Sequence, residues 1–381
     1  MQIRQFALDR PGVLTEALEA LAALDPQLLL VFGSIEKIGE PELAARLAAA
    51  LPGCRIAGCS TAGEISADGV LDQTLVLTAV RFEQTRVALA ATEVADIPDS
   101  HEAGSRLAGQ LQADDLQAVL LFGPGIDING SALIAGLAAA LPAGVGISGG
   151  LAGDGGAFAG TLTLADGRIG ARLVVAVGLY GTQLRVSHGS CHGWEPFGPA
   201  RRVTRSVGNL LYELDGEPAL EIYKRYLGDY ARDLPASGLL FPFEMLGADQ
   251  DQVGLIRTIL GVDETDGMLV LAGEVIEDGF VRLMHASTDS LVDGAEEAAS
   301  RALAGSADGG DALAILVSCV GRKLVMGARV DEEIEAVADL FGRRTTLAGF
   351  YSYGEMAPDI QGVDCKLHNQ TMTVTYLSEP A

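Results

Sequence analysis

A long internal repeat constrains this chain more than any other feature. Residues 31–64 align without a gap onto residues 121–154, at a constant offset of 90. Phe32-Gly33 falls on Phe122-Gly123, the stretch LAAALP from Leu47 to Pro52 falls on Leu137 to Pro142, and Ala62-Gly63-Glu64 falls on Ala152-Gly153-Asp154. Self-similarity on this scale means one supersecondary unit used more than once. Each copy opens with a short apolar run bounded by glycine, Leu28–Phe32 or Val119–Phe122, which reads as a buried strand. A helix then begins near Pro41 or near Ser131 and stops at Leu-Pro, because proline cannot continue a helix. A glycine-dense turn follows, GCSTAGEI over 58–65 or GISGGLAGD over 146–154, and the apolar strands Leu75–Phe82 and Leu173–Tyr180 come after it.

A third, diverged copy lies near the C-terminus. Ala312–Cys319 reads as its buried strand, and Asp331 as the cap of a helix with Glu332 and Glu333 in its positive first turn. Ile334, Val337, Ala338 and Phe341 share one apolar helix face, and Gly342 closes the helix. GFYSYGEM over 349–356 stands where GCSTAGEI stood, and the strand Met372–Leu377 follows. The expected fold class is α/β: repeated strand-helix-strand units with added hairpins, layered sheets flanked by helices, and pseudo-symmetry between the copies.

Charge narrows the function. The chain carries 26 Lys+Arg against 51 Asp+Glu, a net charge of −25. That excludes nucleic acid, whose phosphates require clustered cations, and disfavours an anionic membrane surface. No run of 18 apolar residues occurs, and the first ten residues, MQIRQFALDR, carry charges where a signal peptide needs an apolar stretch. The expectation is a cytoplasmic protein. The five cysteines (54, 59, 191, 319 and 365) form no C-x-x-C and read as free thiols of a reducing compartment.

The turns GCSTAGEI and AGFYSYGEM, the segment CKLHNQT before the last strand, and the block WEPFGPARRVTRSVGNLLYELDGEPALEIYKRYLG over 194–228 together resemble the bacterial FIST sensory proteins. The resemblance implies a FIST-N domain over 1–215 and a FIST-C domain over 216–381, with small-ligand sensing in signal transduction. Amino-acid-like ligands have been proposed for that family. Its NosP-like members are haem-binding nitric-oxide sensors that act on partner histidine kinases in two-component systems. The two domains leave no stretch for a kinase or cyclase, so the expected output is contact with another protein. A homo-oligomer stays open.

Haem requires an axial ligand in an apolar pocket. Of the five histidines, His188 in SHGSCHGW, beside Trp194 and Phe197, is the first candidate for the haem iron, with a hydrogen-bonded turn histidine as the alternative. His285 in VRLMHAS is the second candidate, while His101 reads as a surface residue. HGSCH lacks the first cysteine of C-x-x-C-H, and His188, Cys191 and His192 lack a spaced fourth zinc ligand. A haem-free sensor of an amino acid or related metabolite is the alternative reading. Glu64 and Glu355 would hold an ammonium, glycine-turn N–H groups a carboxylate, and Tyr351 and Tyr353 would wall the site. Cys59, Ser60, His368 and Asn369 lie in the same motifs and complete that ligand-binding set. The competing structural role for the two glutamates is local hydrogen bonding, or pairing with Arg55 or Arg343. A hydrolase or transferase using Ser60 or Cys59 is the third reading, although no G-x-S-x-G elbow surrounds them. No catalytic residue is assigned.

Overall fold

The computed structural model describes residues 1–10, 13–304, 311–358 and 364–380. Unit 1 consists of β1 (Gln2–Leu8), α1 (Val13–Ala22), β2 (Leu28–Gly33), α2 (Ile35–Ile38), α3 (Leu43–Ala50), β3 (Arg55–Ser60), a hairpin of β4 (Glu64–Ser66) and β5 (Gly69–Leu71), and β6 (Leu75–Arg81). Unit 2 repeats the order with β7 (Arg86–Glu93), α4 (Ser100–Leu111), β8 (Leu116–Gly123), α5 (Gly130–Ala140), β9 (Gly146–Leu151), the hairpin β10 (Thr163–Ala165) and β11 (Arg168–Gly170), and β12 (Leu173–Tyr180).

Unit 3 starts with β13 (Arg185–Cys191) and is then interrupted. The insertion contains β14 (Glu195–Pro196), β15 (Arg201–Val207), β16 (Leu210–Leu214), β17 (Glu217–Pro218), α6 (Ala219–Leu227), β18 (Phe243–Leu246), β19 (Gln252–Arg257), β20 (Ile259–Asp263), β21 (Met268–Leu271) and β22 (Phe280–His285). Its strands form a separate nine-stranded sheet. Unit 3 resumes with α7 (Thr288–Ala304), β23 (Ala312–Cys319), α8 (Val320–Met326), α9 (Asp331–Phe341), β24 (Thr345–Ser352), the hairpin β25 (Gly354–Pro358) and β26 (Cys365–His368), and β27 (Met372–Ser378).

One pairing pattern recurs three times. The second strand of each unit runs parallel to the third and antiparallel to the last: β2 with β3 and β6, β8 with β9 and β12, β23 with β24 and β27. The first strand then pairs with the last. The hairpin leaves its own unit. β4 pairs with β24 of unit 3, β10 with β3 of unit 1, and β25 with β9 of unit 2. Three six-stranded mixed sheets result, each completed by a neighbour's hairpin.

The unbroken apolar runs follow from this layering, because both faces of each sheet are covered. Along β2, Leu28, Leu30 and Phe32 enter a central core shared by all three sheets, while Leu29 and Val31 pack under α1 and α3. Likewise Ala118, Leu120 and Phe122 of β8 point to the centre, and Val119 and Leu121 to α4 and α5. Leu313, Ile315 and Val317 of β23 do the same, with Leu316 turned toward α7 and α9. Phe32, Phe122 and Phe350 meet at the centre with ring centroids 4.7 to 6.2 Å apart.

Two readings of the repeat need correction. Strand register places Phe32 opposite Cys59 but Phe122 opposite Gly150, so unit 2 holds one extra residue in the loop before β9. The ungapped match therefore slips, and Asp154 does not occupy the position of Glu64. In unit 3, Asp331 is the first helical residue, and its carboxylate accepts from the Val70 N–H at 2.8 Å instead of capping α9. The buried side of α9 includes Glu333, whereas Ala338 is exposed.

Register also explains three glycines. A Cβ on Gly58, Gly149 or Gly349 would lie 1.7, 2.0 or 1.8 Å from the carbonyl oxygen of Val31, Leu121 or Leu316 on the adjacent parallel strand. Only glycine allows that approach. Gly58→Ala is expected to cost about 3 kcal/mol by overpacking. Gly109→Ala, on the exposed side of α4 with open space at its Cβ position, is expected to gain about 0.5–1 kcal/mol. Urea denaturation of both variants against the parent chain checks the opposite signs.

Candidate functional site

The carboxyl ends of the three parallel pairs converge, and such ends are where open α/β sheets bind ligands. There the turns of the three units hydrogen-bond in a ring. Ala62 N–H donates to the Tyr351 carbonyl at 2.8 Å, and Tyr351 N–H to the Gly63 carbonyl at 2.8 Å. Tyr353 N–H donates to Leu151 at 3.2 Å, and Gly153 N–H returns to Ser60 at 2.9 Å.

Glu64 and Glu355 occupy matching places in this ring and use the same local device. Each accepts the hydroxyl three residues upstream, from Thr61 at 2.5 Å or Ser352 at 2.6 Å. Each also accepts the N–H of the threonine before its unit's last strand, Thr74 at 3.0 Å or Thr371 at 3.2 Å. Burial pushes both carboxyls up, Glu355 to about 8. Glu355 is fully buried, so its oxygens anchor the turn, while Arg55 pairs instead with Asp166. The repeated spacing S/T-x-x-E was visible in the sequence and marked this device.

Tyr351 is fully buried and its hydroxyl donates to Glu333, which also pairs with the buried Arg322 at 2.6 Å. It walls no cleft. Tyr353 instead reaches into unit 2, stacking on Phe158 with centroids 4.0 Å apart and donating to Asp154. Asp154 also accepts the N–H groups of Phe158, Ala159 and Gly160 at 2.8 to 2.9 Å. Burial alone would raise the Asp154 carboxyl, but the hydrogen bonds from Tyr353 and these amides hold it below its usual range. His368 is buried with Nε2 at 3.2 Å from the Ala357 carbonyl, and Asn369 is buried beside it.

Cys59 and Ser60 are not poised as nucleophiles. Burial pushes the Cys59 thiol far above its usual range. The Ser60 hydroxyl donates to Gly153 at 2.7 Å and accepts from Leu162 at 2.9 Å. What stays open at the ring is a cleft of about 380 Å³ with Glu36, Glu64, Asp72 and Asp154 on its walls. Lys323 borders it, donating to the Ala62 carbonyl at 2.9 Å and pairing with Asp72.

The three haem candidates separate. His285 is half-buried on β22, with its Nε2 3.8 Å from Glu195. Trp194 is buried under the insertion with Ile256, Met284 and Leu291, and its indole N–H donates to the Gln370 carbonyl at 3.0 Å. His188, on β13, lines a cavity of about 770 Å³ with Leu141, Val145, Ile147, Leu184 and Val186. Burial lowers its pKa to about 4, so the imidazole is neutral at physiological pH. Its Nδ1 lies 3.4 Å from the Thr375 hydroxyl. A Cβ on Gly146 would sit 3.0 Å from Nε2, so glycine keeps the approach to that nitrogen clear. Sequence alone marked His188 but not the walls, which come from α5, β9 and the start of β13. Among the described residues no cluster of three or more His, Cys, Asp or Glu side chains forms a metal site, and all five cysteines are free. No described helix is long and apolar enough to cross a membrane.

Comparison with known proteins adds a family. The FIST N domain model matches residues 27–217 and the FIST C domain model residues 219–358. The uncharacterized protein MJ1623 of Methanocaldococcus jannaschii is 25% identical over 195 residues, which are 48% of this chain and 37% of that relative. The chain thus spans little more than a third of the length of this curated relative. A crystal structure of cyanuric acid hydrolase from A. caulinodans aligns with all of this chain and 99% of its own, at 10% identity and a TM-score of 0.38, too loose a likeness to inform fold or activity.

Glu355 supplies a pH test. Between its ordinary value of 4.5 and about 8 the native state holds a proton that the unfolded chain releases. Stability therefore falls as pH rises through that window and is fully reduced above it. Melting curves from pH 5 to 8 should show the parent losing more stability than Glu355→Gln, which carries no titrating proton there. Equal slopes would remove Glu355 as the source.

Proposed function

The chain belongs to the FIST family of sensory, ligand-binding signalling proteins, and we propose that its ligand is haem, held by His188, with nitric oxide as the signal. The His188 cavity carries the reading: a neutral imidazole with a clear Nε2 among aliphatic side chains. His188 would hold the iron through its unprotonated ring, with Nε2 free for that role because Nδ1 faces the Thr375 hydroxyl. Arg185 lines the same cavity and would meet a haem propionate. Once bound, haem would supply an iron able to take a diatomic gas.

Transmission follows from connectivity. β13 carries His188 and leads through His192 and Trp194 into the inserted sheet. The His192 carbonyl accepts from the buried Arg322 at 2.6 Å, tying this strand end to α8. A shift of β13 is thereby passed to the insertion, and the partner reading it would be a histidine kinase. The same wiring serves a protein that turns over no substrate at Ser60 or Cys59.

A second reading has its own observation. The acidic cleft beside Glu64 suits the ammonium of an amino acid or related metabolite, without haem.

Absorption spectroscopy after haem reconstitution separates the two. A sharp Soret band is expected, lost in His188→Ala and kept in His285→Ala. No Soret band, or one indifferent to His188→Ala, overturns the haem reading. A rise in melting temperature with an amino acid, abolished by Asp72→Asn, would establish the second.

A further inference from the structure

Among the described residues two arginines are buried, and they are treated differently. Arg322 is fully buried and paired with Glu333 at 2.6 Å, with further donations to the carbonyls of His192 and Leu291. Arg257, at the end of β19, is 4% exposed, yet no carboxylate among the described residues lies within ion-pair distance. Its Nε donates to the Glu274 carbonyl at 3.2 Å, and its Nη1 to the carbonyls of Ile256 and Leu367 at 3.2 and 3.1 Å. Its Nη2 donates to no described residue. All its hydrogen-bond acceptors are neutral carbonyls, and the Glu274 carboxylate, beyond ion-pair distance, only partly opposes the cost of removing the charge from water. Burial lowers its pKa to about 10, which leaves the guanidinium charged at neutral pH.

This guanidinium lines a cleft of about 480 Å³ between α5, β26 and the insertion. Ile134, Leu255, Val275, Ile276 and Leu367 make its walls apolar. Glu274, Asp364 and Lys366 also line it, and none of them makes an ion pair with Arg257. The neighbouring loop is trimmed to seat the guanidinium, since a Cβ on Gly273 would lie 2.7 Å from Nε. This cleft adjoins the His188 cavity, the two sharing Ala138, Asp364 and Cys365 on their walls.

We propose that the Arg257 cleft is a second ligand site that binds a small organic carboxylate with an apolar body. A guanidinium edge with free N–H groups takes a carboxylate through charge-assisted hydrogen bonds. The aliphatic walls take the carbon chain by burying its surface. One arginine beside Glu274 and Asp364 does not supply the several donors that a phosphate dianion demands. The site is independent of haem, and its occupant sits where the insertion meets unit 2.

Calorimetric titration of the full-length, haem-free protein with hexanoate, and with hexanamide as its uncharged match, tests this. Hexanoate is expected to bind saturably at one site and to raise the melting temperature. Hexanamide is expected to bind at least tenfold more weakly, and Arg257→Gln to weaken hexanoate at least tenfold while leaving the response to hexanamide unchanged. Because Arg257→Gln alters a buried group, Ala135→Trp provides a second variant: Ala135 is exposed on α5 and lines the cleft, so the indole fills it without touching the guanidinium. Loss of hexanoate binding in Ala135→Trp supports the site. Equal binding of hexanoate and hexanamide, no binding of either, or full binding by Ala135→Trp overturns it. The Soret band of reconstituted protein reads the His188 proposal separately.

Discussion

Exchange of hairpins is the constraint on which the rest of this structure depends. Without β10, β4 and β25, the outer edges of β3, β24 and β9 would each present a row of unpaired N–H and C=O groups. Every unit closes its neighbour's sheet and relies on another to close its own. The turns leading into two of these hairpins, at Gly63 and Tyr353, are also the turns that hydrogen-bond into a ring. Closing the sheets and assembling the ring of turns are therefore one structural event. The central core shared by the three sheets reinforces it, because Phe32, Phe122 and Phe350 come from three different units and bury one another.

Pseudo-symmetry is kept in the scaffold and broken in the chemistry. Units 1 and 3 retain the hydroxyl-anchored glutamate, whereas unit 2 lacks it, and Asp154, one residue out of that register, organises its own loop and receives Tyr353 from unit 3. Unit 3 alone carries the buried Arg322–Glu333–Tyr351 group, fixing α8 and α9 against β24. Unit 3 alone accepts an insertion, and that insertion brings Arg257, without an ion-pair partner among the described residues, against the Leu367 carbonyl of β26. Divergence is thus concentrated where units meet, and the cavities lie at the same seams. A ligand held at a seam touches two elements whose relative position can differ between states, which a sensor requires.

Much of this was legible in the chain. Leu28–Phe32, Ala312–Cys319 and Leu173–Tyr180 announced buried strands, since a layered sheet leaves no polar face to interrupt the run. GCSTAGEI and GFYSYGEM marked matching turns, and register confirms that Glu64 and Glu355 correspond. The same pattern reading failed for Asp154, because one added residue in a loop is invisible to an ungapped alignment yet moves every later side chain. It failed for Glu333 too, because a buried carboxylate looks like a break in an apolar face until its partners, Arg322 and Tyr351, are in view.

The sequence by itself determined the repeated α/β unit and the two matching Gly-Glu turns, which depend on neighbours within a few residues or on a periodic pattern, while the close glycine approaches between parallel strands came only with strand register. Tertiary structure alone decided which unit each hairpin completes, that Trp194 lies apart from His188, and that Arg257 meets a cleft whose described carboxylates stay beyond ion-pair distance. These are facts about surfaces brought together from distant segments. Burial and charge pairing, which set the chemistry of each group, arise only when those surfaces close.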